Sequence, residues 1–116
     1  MTVKEFYDLT GGGYETMFSK FHSDATITAF LKLFKRDTSY AALCEKMAEG
    51  DAEGAFQAAH TLKGVVLNLN VEGLIEPVCS ITEALRARDM ESAKKLFPTV
   101  KETYGKVWNT LEQLLP

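Results

Sequence analysis

A histidine, a lysine and a glycine stand at i, i+3 and i+4 in the run Ala58-Ala59-His60-Thr61-Leu62-Lys63-Gly64. At about 100° per residue from Asp51 onward, Ala55, Ala58, Ala59, Leu62, Val65, Val66 and Leu69 form one apolar stripe, and His60 points almost opposite it. A solvent-facing imidazole on a rigid helix has a ring nitrogen free to attack phosphorus. Imidazoles titrate near neutral pH, so a neutral, nucleophilic form is present under cellular conditions. Lys63 lies one turn on, where its ammonium could steady the oxygens of a phosphorylated ring as a mobile point charge. Gly64 costs a helix about 1 kcal/mol and removes the side chain that would crowd His60, so that a second molecule can approach. Phe56, Gln57 and Leu67 project from the same outward half, and the two apolar ones make a candidate docking patch for a protein.

Each of these residues also has an ordinary reading. Surface histidines and lysines are commonly incidental, Gly64 could serve a helix contact, and Phe56 and Leu67 could pack under a loop. Rival chemistry has less support. Gly11-Gly12-Gly13 lacks the Lys-Ser/Thr of a phosphate loop, so ATP binding and autonomous kinase activity are not expected and the triple glycine reads as a hinge. His22 is the only other histidine, and Cys44 and Cys79 lack ligand spacing, so no metal site is expected. Both cysteines sit singly in apolar helical patterns and are expected as buried, reduced thiols.

Helices must carry this face. The spacing of Tyr14, Met17, Phe18 and Phe21 predicts one amphipathic helix, and Ile27, Phe30, Leu31 and Phe34 predict another after Ser23. Tyr40, Leu43, Cys44 and Met47 repeat the pattern between the capping candidates Asp37, Thr38 and Ser39 and a stop at Gly50. Asp51 should cap a central helix from about Ala52 to Leu69, with Asn70 closing it and capping its successor. The return helix carries Leu74, Val78, Ile81 and Leu85, with a kink or late start expected at Pro77. A last helix places Phe97, Val100, Tyr104, Val107, Trp108, Leu111 and Leu115 near one face, with a bend at Pro98. No alternation suggests a strand. The expectation is an all-α, antiparallel four-helix bundle, with short N-terminal helices covering one end.

With 116 residues and 46% hydrophobic content, the chain predicts one soluble domain spanning 1–116. Thirteen basic against sixteen acidic residues, with no basic block, leave nucleic-acid binding without its electrostatic footprint. Lys4, Glu5 and Asp8 interrupt any apolar leader, and no run approaches the ~18 apolar residues of a membrane span, so no membrane association and a cytoplasmic location are expected.

The string Ala59-His60-Thr61-Leu62-Lys63-Gly64, followed by Asn68-Leu69, Leu74 and Leu85, resembles the signature of histidine-containing phosphotransfer (HPt) domains. It does so closely from Asp51 to Arg88. Elsewhere the agreement is in length and helical content. The resemblance implies a phosphorelay intermediate of two-component signalling. His60 would take a phosphoryl group from the aspartate of one receiver domain and pass it to another, with a response regulator or a hybrid histidine kinase as partner. The chain itself would bind no cofactor, the receiver would hold Mg²⁺, and a monomer is expected. This sequence departs from the family in having Val65 and Val66 after the glycine and Asn70 in place of a hairpin glycine; Asn tolerates the left-handed turn conformation. The alternative is a helical adaptor that binds a signalling partner through the Phe56/Leu67 face without being phosphorylated.

Overall fold

A computed structural model describes all 116 residues, Met1–Pro116. Seven helices and no strands follow in order: α1 (Val3–Leu9), α2 (Tyr14–Phe21), α3 (Asp24–Arg36), α4 (Ser39–Glu49), α5 (Ala52–Leu69), α6 (Glu72–Arg86) and α7 (Met90–Leu114). The central helix has the bounds its caps predict. Asp51 accepts from the Gly54 N–H at 2.9 Å, and Asn70, at φ 52°, closes the other end in the left-handed conformation. Asn70 does not cap α6 as expected. Its side-chain amide donates to the Gly13 carbonyl at 3.3 Å and to Glu72 at 3.4 Å, and Val71 stands at the N-cap without a side-chain hydrogen bond. At Pro77 the late start does not occur, because α6 begins five residues earlier and continues through the ring. Helix α7 likewise runs unbroken across Pro98.

Helices α4 to α7 pack in succession, each against the next, and Tyr40 of α4 stacks on Tyr104 of α7 with ring centroids 3.7 Å apart. The result is a helical bundle of 41 × 25 × 19 Å, its long axis set by α7, whose 25 residues rise about 37 Å. One continuous apolar core includes Ala55, Ala58, Ala59, Leu62, Val66 and Leu69 from α5, Leu74, Val78, Ile81 and Leu85 from α6, and Val100, Val107 and Leu111 from α7. Val65, expected in the stripe, is only half-buried. So are the free thiols Cys44 and Cys79. Phe18 and Phe30 are exposed rather than core, because α2 and α3 lie on the outside of the bundle and each meets it along a narrow side. No helix is long and apolar enough to cross a membrane.

The N-terminal segment is joined to the α5–α6 turn by backbone contact. The Tyr7 hydroxyl donates to the Leu69 carbonyl at 2.7 Å, and the Gly73 N–H donates to the Thr10 carbonyl at 3.1 Å. Gly11 and Gly13 have φ of 111° and 114°, and a methyl group on Gly11 would stand 2.6 Å from the Gly73 nitrogen. The triple glycine is therefore a packed joint and not the expected hinge. Only residues without a Cβ let the two turns approach this closely.

Candidate functional site

His60 lies midway along α5 and is exposed, on the face opposite Ala55, Leu62 and Leu69. Its ring stacks on Phe56, one turn back, with centroids 5.8 Å apart and planes 24° from parallel. Phe56 is half-buried, and two guanidinium groups lie over its ring: Arg86 at 4.9 Å and Arg88 at 5.1 Å from the centroid. Arg88 uses both terminal nitrogens. One terminal nitrogen donates to the Leu85 carbonyl at 2.8 Å and the other to Glu53 at 2.7 Å, across from the first turn of α5. This residue has a left-handed backbone, φ 59°, at the turn between α6 and α7. Besides its place over Phe56, Arg86 makes one hydrogen bond, from Nε to Glu83 at 3.2 Å on its own helix.

Lys63 is half-buried and enters none of the ion pairs of the fold. Around the α5 axis Lys63 and Phe56 lie to one side of His60, about 60° and 40° away, while Gly64 and Gln57 lie at similar angles on the other. Arg86 and Arg88, which cover Phe56, are therefore on the Lys63 side. The Gly64 side is open: a methyl group there would meet no atom within 4 Å. Gln57 is exposed, its amide 3.4 Å from Glu53, and Leu67, 41% exposed, continues the outward stripe two turns beyond His60. All six residues singled out from the sequence thus share the outward half of one helix. Phe56 differs from the expectation of a bare apolar patch, because its ring is already shared among an imidazole and two guanidiniums.

Glu53, Arg86 and Arg88 join this site only through the fold. Hairpin register was the available signal, since Phe56 and Arg86 lie at comparable chain distances on either side of Asn70. Beyond the Gly64 side, Phe21, Phe30, Leu33 and Phe34 face Val65 and Leu69 across a groove of about 430 Å³ between α2, α3 and α5, with Lys20 and Asp37 at its rim. No group of three or more His, Cys, Asp or Glu side chains is placed to hold a metal ion. Comparison with protein-family models, curated proteins and solved structures finds no match to this chain.

Proposed function

We propose that this chain is a phosphotransfer protein that accepts a phosphoryl group on His60 from a receiver-domain aspartate and returns it to another. In this reading α4 to α7 form an antiparallel four-helix bundle whose role is to hold one imidazole outward on a stiff helix. The observation that carries the proposal is the pairing of exposed His60 with Gly64, a helix-interior glycine for which the fold has no steric need. Next to an exposed imidazole, a glycine that costs the helix about 1 kcal/mol and relieves no internal crowding leaves room for a visitor at the ring.

The step itself is an in-line displacement. A ring-nitrogen lone pair of His60 forms the P–N bond as the P–O bond of the receiver's aspartyl phosphate breaks, and the carboxylate leaves with the bonding electrons. The receiver brings the acidic pocket and the Mg²⁺ that offset charge on the moving phosphoryl group. This chain supplies the nucleophile, the clearance over Gly64, and a positive flank from Lys63.

Incubation with a phosphorylated receiver should give acid-labile label on the wild-type protein and none on His60→Gln. Label that persists in the mutant would reject the site. Binding of the receiver without label would favour the adaptor reading instead.

A further inference from the structure

Arg86 and Arg88 share one aromatic ring but differ in what their forks are free to do. In Arg88 both terminal nitrogens are spent, on the Leu85 carbonyl and on Glu53. In Arg86 only Nε is engaged, and the two terminal nitrogens have no partner in the fold. The side chain is exposed, so the Glu83 pair holds it weakly and is readily exchanged. Its guanidinium carbon is 4.9 Å from the Phe56 centroid, and the His60 ring stacks on that same phenyl group. A free, planar pair of N–H donors therefore lies within one shared phenyl ring of the candidate phosphoacceptor, on the side of α5 that also carries Lys63.

We infer that Arg86 is the phosphoryl-binding residue of this site. When His60 carries a phosphoryl group, the Arg86 fork leaves Glu83 and takes two phosphoryl oxygens, using the Phe56 face as its platform. A dianion with three acceptor oxygens competes well against a single exposed carboxylate, and the arginine fork matches its geometry. Lys63 adds a point charge from the same flank. Because both cations act from the α6 side, the Gly64 side stays clear for the partner. Glu83 becomes a competitor that parks Arg86 while the ring is unmodified.

The inference rests on His60 as phosphoacceptor, but it is tested without a receiver. Phosphoramidate phosphorylates exposed imidazoles directly: the ring nitrogen bonds to phosphorus as the amine P–N bond breaks and ammonia leaves. His22 is also exposed and lies beside a phenyl ring, Phe18, at 6.4 Å, with no arginine over that ring, so it serves as an internal control. Phosphorus NMR, with signals assigned from His60→Gln and His22→Gln, follows the loss of each phosphohistidine. Arg86→Ala should shorten the lifetime at His60 about two- to fivefold, as for an exposed charge-assisted contact, and leave His22 unchanged. Arg86→Lys should restore part of the difference, and Glu83→Gln should lengthen the lifetime at His60. An unchanged lifetime at His60 in Arg86→Ala, equal changes at both histidines, or failure of phosphoramidate to label His60 would overturn the assignment. If receivers give no label while phosphoramidate does, the relay reading fails and the Arg86 measurement still stands.

Discussion

Gly64 and Gly105 are the two glycines in helix interiors at which an added methyl group would meet nothing, whereas a methyl on Gly54, Gly73, Gly11 or Gly13 would collide with neighbouring atoms. Substitution at Gly64 therefore separates folding from access. Gly64→Ala should raise stability by about 0.5–1 kcal/mol, seen as a higher urea midpoint. Gly64→Leu should keep the fold while slowing phosphoryl transfer from a receiver more than about tenfold, since a misplaced approach is costly in rate. Transfer at the wild-type rate with leucine in place would show that the open flank is not the approach path. At this scale the sequence exposes what one helix face can tell. The shared outward face of His60, Lys63 and Gly64 follows from periodicity, but the partners of Phe56 do not, because Arg86 and Arg88 reach it from the end of α6 and the turn beyond it.

At the scale of elements, caps decide where the helices begin and end. Ser23 accepts from the Thr26 N–H, Asp89 accepts from the Ser92 N–H, and Gly50 closes α4 in the left-handed conformation, as residues of these types commonly do. Helix α1 does not follow from apolar periodicity. It carries a full capping box, Thr2 with Glu5, a signal that apolar spacing over so short a helix does not supply. The joint between the glycine turn and the α5–α6 turn gives the clearest element-scale prediction. Gly11→Ala combines a φ of 111° with a contact of 2.6 Å to the Gly73 nitrogen, and should cost about 2 kcal/mol or more in chemical denaturation. Gly105→Ala, the matched control in α7, should be neutral or stabilising. Equal effects of the two would mean that the N-terminal helices are not held by this joint.

For the whole molecule, all four tyrosines hold their protons more tightly than free tyrosine does. Burial raises Tyr7, whose hydroxyl donates to Leu69; burial also raises Tyr40, and it pushes Tyr104 up to about 12. Tyr14 is pushed up to about 12 by its hydrogen bond to Asp24. A folded-state value above the unfolded one, near 10 for tyrosine, contributes stability that is complete below about pH 10. That stability is lost as pH rises through about 12. Tyrosinate absorbance and helical circular dichroism, followed together, should change over the same alkaline range. Ionisation near pH 10 with helix content intact would contradict the packing of these rings. Three of them tie helices together: Tyr7 joins α1 to α5, Tyr14 joins α2 to the start of α3, and Tyr40 of α4 stacks across to α7.

By itself the sequence determined the periodic faces and stops of most helices, including the bounds of α5, and it turned His60 away from the core. Those properties depend on spacing along one segment, where a 3.6-residue period and a capping side chain act locally. Only the tertiary structure decided that the triple glycine is a joint, that Val65 and Phe30 border a groove, and that two arginines, one at the end of α6 and one in the turn after it, cover Phe56. Each of these needs atoms distant in sequence to meet, and such meetings are set by how whole helices pack and not by the residues on any one of them.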